Sequence, residues 1–300
     1  METKDTKQNY LDPLVLAKLS SMLLRARFVV EGFIAGLHQS PFRGFSLEFA
    51  QHRQYSRGDE LKYLDWKIYG RSDRFYIRQY QEETNLKSYI ILDASASMGY
   101  GTRGISKLQY AAYLASSLAY LMLKQQDSVG LGTFSSQLDS YIPPRANKQH
   151  LAVILEELEK MAPVGETDIS CILEGLGGHI KKRGLIIFIS DLFDEPDKVI
   201  KALKYFRFQK HEVILFHLLD PAERELPFDD LILFEDMEKH SQVVSEPELI
   251  RREYKNLMDG FIEKYKLSCH QSGIDYCLMD TSVPLDKALS AYLAKREMMS

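Results

Sequence analysis

The sequence predicts an α/β protein in which a mostly parallel, doubly wound sheet is covered by helices. Four short apolar runs lack the polar alternation of half-exposed strands, and stretches with helical spacing separate them. These runs are residues 89–92, 129–134, 185–189 and 213–216. Strands of this composition are buried on both faces, which indicates a parallel sheet between two layers of helices.

Helical periodicity precedes the first of these strands and continues between them. Residues 13–37 carry apolar side chains at helical spacing, so one or two amphipathic helices are expected there. Apolar or small residues within 106–124 follow the i, i+3, i+4 rule, which predicts a helix with one buried stripe. Residues 245–248, Ser-Glu-Pro-Glu, form a capping-box pattern before a late helix, and residues 274–279 fit a final strand.

The sequence pattern changes near residue 85, which suggests two parts. Residues 43–85 contain short, charged and aromatic-rich pieces that alternate as half-exposed strands do. We therefore expect an N-terminal part, residues 1–85, that contains helices and a small β module. Residues 86–300 then form the doubly wound α/β domain.

Composition and charge exclude several classes of protein. Of the 300 residues, 45% are hydrophobic and 27% are charged, and the net charge of −4 provides no global basic field for nucleic acid. Three cysteines, an odd and sparse set, favour a reducing compartment over a disulfide scaffold. The first ten residues are mostly polar, and the most apolar segment, residues 111–123, is shorter than the ~20 residues of a membrane span. We expect a cytoplasmic protein with no membrane span and no nucleic-acid partner.

Oxygen-bearing side chains cluster directly after the first predicted strand of the sheet. Asp93, Ser95 and Ser97 alternate along the chain, so a turn that leaves the strand brings all three to one side. Ligands of parallel sheets bind at the carboxyl ends of strands, and oxygen-only donors select Mg²⁺, Mn²⁺ or Ca²⁺ over zinc. Residues 165–168 and the pair 190–191 supply further oxygens, and we expect these three loops to converge.

This arrangement resembles the metal-ion-dependent adhesion site (MIDAS) of von Willebrand factor type A domains. The pattern of that site is D-x-S-x-S, then a distant Thr, then a distant Asp. The resemblance implies Asp93, Ser95, Ser97, Thr167 and Asp191 as metal ligands, with Mg²⁺, or else Mn²⁺ or Ca²⁺, as the cofactor. One difference is that the family usually has Gly after the last Asp, where this sequence has Leu192.

A second resemblance lies upstream, in residues 53–59 (Arg-Gln-Tyr-Ser-Arg-Gly-Asp), 64–66 (Leu-Asp-Trp), Arg71 and 78–83. These pieces resemble the signature of the bacterial family called domain of unknown function fifty-eight, in which a type A domain directly follows the signature. The resemblance extends from about Leu24 to Leu293 and is to the short, soluble form of the family.

The second resemblance also implies partners. Relatives are linked to MoxR-type AAA ATPases and are thought to act in chaperone-like maturation or assembly of other proteins. A client protein would then offer an acidic side chain to the metal. Independently of the family, Asp59, Asp65, Arg71 and Arg78 are expected to form an ion-pair network that fixes the signature onto the sheet domain, with Trp66 as a buried anchor.

Other interpretations of the Asp93 motif remain open from the sequence. Asp and Ser also cap helix N-termini, so residues 93–97 fit a purely structural loop. Haloacid-dehalogenase phosphatases place an Asp nucleophile after a first strand and a second Asp two positions later. Here Ser95 occupies that second position, so the general acid of such an enzyme is missing.

Two further patterns carry weaker signals. Residues 99–104 match the dinucleotide fingerprint G-x-G-x-x-G, but residues 93–98 separate them from the strand, which favours a surface loop beside the metal site. Cys269-His270 with Cys277 lacks the paired spacing of a zinc site, which favours buried or incidental thiols.

The sequence therefore predicts a non-enzymatic, metal-dependent protein-interaction module. The alternative is a Mg²⁺-dependent phosphatase of the haloacid-dehalogenase type. A third possibility is a structural subunit whose metal stabilises only the fold.

Overall fold

The computed structural model describes residues 21–38, 52–54, 76–78, 87–180, 182–286 and 289–290. In the N-terminal part, strands β1 (His52–Gln54) and β2 (Tyr76–Arg78) form a short antiparallel pair. The predicted ion-pair network lies outside the described residues, except for Arg78 at the end of β2.

The main sheet has six strands and follows a doubly wound order. The remaining strands are β3 (Lys87–Asp93), β4 (Ser128–Phe134), β5 (Leu138–Arg145), β6 (Leu185–Ser190), β7 (Glu212–Leu219), β8 (Ile232–Glu235), β9 (Gln242–Ser245) and β10 (Asp275–Asp280). The order in the sheet is β10-β7-β6-β3-β4-β5, and every pairing is parallel except that of β4 with β5. Strand order reverses at β3, which makes its carboxyl end the expected ligand site. The predicted α/β class and all four predicted apolar strands are confirmed.

Helices cover both faces of this sheet. They are α1 (Met22–His38), α2 (Lys107–Lys124), α3 (Lys148–Lys160), α4 (Ile169–Leu176), α5 (Pro196–Phe208), α6 (Pro221–Glu225) and α7 (Pro247–Gln271). One apolar core joins α1, α2 and α3 to alternate residues of β3, namely Ile90 and Leu92. The other core joins α4, α5 and α7 to Tyr89 and Ile91 on the opposite face of the same strand. Within the described ranges, no helix is both long enough and apolar enough to cross a membrane.

The N-termini of α2 and α7 differ in how they are capped. Ser106 caps α2 by accepting a hydrogen bond from the Gln109 backbone, and Gln109 bonds back to the Ser106 N–H. At the late helix the predicted capping box is wrong, because Ser245 lies in β9 and the N-cap residue Glu246 makes no side-chain cap. Pro247, which has no N–H to leave unsatisfied, begins that helix instead.

The outer strand β5 runs close against its neighbour. At Gly130 of β4, a Cβ atom would lie only 2.7 Å from the Ile142 carbonyl oxygen, so this position requires glycine. Next to Ile142, Pro143 and Pro144 coincide with an irregularity in the register of the pairing. The sheet therefore ends in a bulged antiparallel strand.

A buried histidine in β7 makes the stability of the fold depend on pH. His217 is fully buried, its Nδ1 lies 2.7 Å from the Tyr276 hydroxyl, and its ring contacts those of Phe261 and Tyr265. Burial lowers its pKa to about 3 from the ordinary value near 6.5. The folded protein thus keeps His217 neutral while the unfolded chain takes up a proton, so stability falls as pH drops from about 6.5 towards 3.

We expect His217→Phe to remove this contribution. Between about pH 6 and pH 4, the free energy of unfolding of the parent should fall more steeply than that of the variant, by about 1.4 kcal/mol per pH unit. Urea unfolding at four or five pH values measures both slopes. His270→Gln, at an exposed position of α7, is the control and should keep the parental slope. Equal slopes for the parent and His217→Phe would contradict this account.

Candidate functional site

The first loop of the candidate site follows β3 directly. Asp93 is the last residue of that strand and is fully buried, and its Oδ1 accepts a hydrogen bond of 2.9 Å from the Ser95 backbone N–H. The hydroxyl oxygens of Ser95 and Ser97 lie 3.1 Å apart. Ser95 is buried and Ser97 is half-buried, so the oxygens lead from the interior towards the surface.

The second loop, before α4, is bonded to the first through backbone groups. The Val164 N–H donates to the Ala94 carbonyl at 2.9 Å, and the Ala96 N–H donates to the Gly165 carbonyl at 3.0 Å. Gly165 has φ of +79°, a left-handed conformation that favours glycine. These contacts place the second loop against the first, and Thr167, two residues after Gly165, is half-buried.

The third loop follows β6 and contacts Asp93 through a residue that the ligand prediction did not include. The Ser190 hydroxyl donates to Asp93 Oδ2 at 2.6 Å and accepts from the Leu192 N–H at 2.9 Å. Asp191, the next residue, is almost fully buried. The three predicted loops therefore converge at the carboxyl end of the sheet, and Ser190 links the Asp93 carboxylate of the first loop to the start of the third loop.

Leu192 occupies the position where the type A pattern has glycine. The backbone conformation at this position shows why glycine is usual there. Its φ of +60° lies in the left-handed region, which costs a leucine roughly 1 kcal/mol relative to glycine. The Leu192 side chain is fully buried in the core of α4, α5 and α7. Complete burial of a leucine side chain contributes roughly 1.5–3 kcal/mol, which offsets the strain. The turn thus keeps the glycine-type conformation without a glycine.

A buried lysine, which no sequence pattern indicated, pairs with a carboxylate of the third loop. Lys107, the first residue of α2, is fully buried, and its Nζ donates to Asp191 Oδ2 at 2.7 Å and to Glu223 Oε1 at 2.5 Å. The same ammonium lies 4.9 Å from the centroid of the Phe193 ring. Burial opposes the charged form, but the two carboxylates outweigh it and raise the pKa of Lys107. The ammonium therefore balances part of the negative charge next to the site.

The negative charge of Asp93 is only partly compensated by neighbouring protein groups. Burial and the neighbouring charge of Asp191 raise its pKa to about 7, and the hydrogen bonds from Ser190 and Ser95 only partly oppose that rise. A buried carboxylate in this setting is stabilised either by a proton or by a nearby cation.

The chemistry of the donors fits a small divalent cation. An octahedral Mg²⁺ with ligands at about 2.1 Å holds adjacent ligand oxygens about 3.0 Å apart. The Ser95 and Ser97 hydroxyl oxygens, 3.1 Å apart, have this separation. All five side chains of the predicted set offer oxygen, and three of the five are neutral hydroxyls. Hydroxyl and carboxylate donors of this kind suit Mg²⁺, Mn²⁺ or Ca²⁺.

The G-x-G-x-x-G segment makes contacts outside the three loops, and Cys269 lies in the apolar core. In the G-x-G-x-x-G segment, Thr102 donates from both its N–H and its hydroxyl to the carboxylate of Asp220, at the start of α6. Cys269 of α7 is buried in the core, and burial raises the pKa of its thiol to about 12, the opposite of a zinc-binding thiolate. Among the described residues, no three His, Cys, Asp or Glu side chains form a group that could hold a metal ion, so a cation site on these loops would depend on its hydroxyl oxygens.

Comparisons with known proteins identify the family. The fold defines a von Willebrand factor A-like α/β protein, with candidate ligands at the switch point of its sheet. Residues 51–260, more than two thirds of the chain, match the family model described as "Protein of unknown function DUF58". The chain belongs to this family, so the family and the fold expected from the sequence are both confirmed.

Two mycobacterial proteins are similar over most of the chain. They are the uncharacterized protein Rv1480 of Mycobacterium tuberculosis (strain H37Rv) and the uncharacterized protein Mb1516 of Mycobacterium bovis. Each is 27% identical over 230 residues, which is 76% of this chain and 72% of the relative.

Two solved structures show different degrees of similarity to this chain. The conserved hypothetical protein BatB from Bacteroides thetaiotaomicron aligns with a TM-score of 0.50 and 20% identity, covering 70% of this chain and 98% of BatB. The vWF domain of the pili tip protein Mfa5 from Porphyromonas gingivalis aligns with a TM-score of 0.40 and 11% identity, covering 71% of this chain and 95% of that domain.

Proposed function

We propose that this chain is a non-enzymatic protein-interaction module whose binding of partners depends on a divalent cation, Mg²⁺ or else Mn²⁺ or Ca²⁺. The observation that carries the proposal is the convergence of three loops that present hydroxyl oxygens and few carboxylates. Family membership and the von Willebrand factor A-like fold support an interaction module. The arrangement of oxygens supports the dependence on metal.

The residues have separate roles in this proposal. Ser95, Ser97 and Thr167 offer neutral oxygens, and Asp93 and Asp191 bind the cation directly or through water. Few anionic ligands leave a bound cation electrophilic, so a carboxylate from a partner can complete its coordination. The gradient from buried Asp93 to half-buried Thr167 places the outer end of the donor set on the side of Thr167.

The expected partners follow from the family resemblance. They are a MoxR-type AAA ATPase and a client protein that offers an acidic side chain, acting together in the cytoplasm in chaperone-like maturation or assembly. The surroundings of Asp93 favour binding over phosphoryl transfer, because Ser95 occupies the position two residues later where a phosphatase of the haloacid-dehalogenase type has its general acid. Without that carboxyl group, the leaving group would lack its proton donor.

Thr167→Val tests the metal-dependent interaction because it removes one hydroxyl at nearly constant size. We expect the affinity for Mg²⁺, measured by calorimetry, to fall about tenfold or more. Capture of a purified MoxR-type ATPase from the same genome should require Mg²⁺, disappear with EDTA and weaken in the variant. Ser136→Ala, which removes an exposed hydroxyl from the loop after β4, is the matched control and should change neither measurement.

Three outcomes would support a different function. Turnover of p-nitrophenyl phosphate with Mg²⁺, lost in Asp93→Asn, would indicate a phosphatase. Metal that raises the melting temperature while capture of the ATPase is the same with EDTA would indicate a purely structural cation. Capture in Mg²⁺ that Thr167→Val does not change would place the interaction elsewhere on the surface.

A further inference from the structure

A carboxylate of this chain already contacts the candidate metal site. Glu238, between β8 and β9, accepts two hydrogen bonds from Thr167: the N–H donates to Oε2 at 3.1 Å and the hydroxyl donates to Oε1 at 3.0 Å. Glu238 is half-buried and lies 71 positions along the chain from Thr167. Thr167 therefore holds an acidic side chain of the type that a partner would offer.

The turn that carries Glu238 is ordered by its own hydrogen bonds. Asp236 Oδ1 accepts from the N–H groups of Glu238, at 2.8 Å, and Lys239, at 3.1 Å. The Asp236 N–H in turn donates to the Ser241 carbonyl at 2.9 Å. These hydrogen bonds order the turn without help from the candidate site, so little conformational freedom is lost when Glu238 binds there.

The same turn also contacts the first loop of the site. A Cβ atom on Gly99 would lie 3.3 Å from the terminal methyl of Met237 and 2.9 Å from Pro163. Met237 thus packs over the end of the 3-10 helix Ala96–Gly99, while Glu238 bonds to the loop of Thr167. The tip of the β8–β9 hairpin covers the two loops whose oxygens are least buried.

Several apolar side chains of the hairpin strands are exposed to solvent. Leu233, Val243 and Val244 are each more than half exposed. On the face of β8 opposite Leu233, the half-buried ring of Phe234 contacts that of Phe228. The contacts of Met237 and Glu238 at the tip add to this small apolar anchorage.

We infer that Glu238 is an internal ligand of the cation, which occupies the coordination position that a partner's carboxylate would take. A hydroxyl has one proton and two lone pairs, so Thr167 can bind a cation and still donate to Glu238. The 3.0 Å between their oxygens matches the spacing of about 3.0 Å between adjacent ligands of an octahedral Mg²⁺. A partner must then displace the hairpin before it binds. This inference depends on the proposed metal site.

Two opposite effects follow from replacing Glu238 with Gln. The cation loses an anionic ligand, so the affinity for Mn²⁺ alone should fall about tenfold or more. In the parent, the carboxylate of Glu238 is tethered to the protein and acts at an effective concentration in the millimolar range, so a free carboxylate must compete with it for the coordination position. In Glu238→Gln this competition is absent, and the position is free for other carboxylates. Free acetate should therefore bind to the Mn²⁺-loaded variant about tenfold more tightly than to the Mn²⁺-loaded parent.

The experiment uses Mn²⁺ as the metal and ¹³C-labelled acetate as the carboxylate. Calorimetry gives the Mn²⁺ affinity, electron spin-echo measurements count the waters bound to Mn²⁺, and the ¹³C linewidth reports acetate at the metal. For Glu238→Gln we expect weaker Mn²⁺ binding, about one additional bound water and strong broadening of acetate. Glu235→Gln, an exposed carboxylate at the turn end of β8 in the same hairpin, is the matched control and should behave as the parent.

The outcomes distinguish this inference from the proposed function. Mn²⁺ binding that Asp93→Asn abolishes but Glu238→Gln leaves unchanged in affinity, water count and acetate broadening would overturn the internal ligand and keep the metal site. If neither the parent nor any variant binds Mn²⁺, both the internal ligand and the proposed metal site are overturned. Circular dichroism checks folding, and Glu238→Ala provides a second variant with the same expected directions.

Discussion

Replacing Asp93 with Asn is expected to abolish metal binding while the protein remains folded. Asn keeps the size of the side chain, and its Oδ1 can still accept the hydrogen bond from the Ser95 N–H. Its amide nitrogen replaces the oxygen that accepts from Ser190 and can instead donate to that hydroxyl, but Asn brings no negative charge to the cation. We expect at least a 100-fold loss of Mg²⁺ affinity, which corresponds to about 2.7 kcal/mol. Titration calorimetry with Mg²⁺ measures the loss directly.

The metal-free stability of the same variant provides the control. Burial and Asp191 raise the pKa of Asp93 to about 7, well above the value near 3.8 of an unfolded chain. The folded protein therefore binds the proton more readily, and this contribution to stability is lost as pH rises towards 7. Metal-free Asp93→Asn should be at least as stable as the parent at pH 8. A variant that binds Mg²⁺ with parental affinity would remove Asp93 from the site.

Replacing Lys107 with Met is expected to have the largest effect on stability. The change leaves Asp191 and Glu223 buried against each other without their shared ammonium. Breaking a buried ion pair on one side costs about 3–5 kcal/mol at neutral pH. The deficit should shrink as pH falls, because the two carboxylates can take up protons in place of the lost charge. Urea unfolding at pH 7.5 and pH 5 measures both effects.

Two further proteins separate charge from packing at Lys107. Lys107→Met combined with Glu223→Gln removes one of the two uncompensated carboxylates and should recover part of the loss. Lys124→Met, at the exposed end of the same helix, is the control and should change stability by less than about 0.5 kcal/mol. If Lys107→Met were as stable as Lys124→Met, the ion pairs of Lys107 with Asp191 and Glu223 would not stabilise the third loop.

The parts of the fold that depend on local pattern were predictable from the sequence. The buried strands have continuous apolar runs, and the Asp93 motif is local because a strand end and the following turn bring alternate residues together. The hairpin strands β8 and β9 were not predicted, since four-residue strands with exposed side chains lack a periodic signal. Whether the five predicted oxygens hold a cation stays a prediction.

The residues that surround the motif were not predictable, because their partners are distant in the sequence. Lys107 lies 84 positions from Asp191 and 116 from Glu223, and neither pairing has a sequence signature. A lysine at the start of a helix normally suggests exposure, since charged groups there are usually solvated. Glu238 likewise lies in a polar turn that any surface hairpin could contain. Ser190 was adjacent to a predicted ligand, and its contact with Asp93 follows from the neighbouring positions of β3 and β6.

The two prolines of β5 limit how these molecules can associate. Pro143 and Pro144 lack amide hydrogens, so at those positions the outermost strand cannot donate to a strand from another molecule. Edge-to-edge growth of a continuous intermolecular sheet, the first step towards fibrils, is disfavoured on that side. Concentrated solutions of the protein should therefore resist β-type aggregation at this end of the sheet.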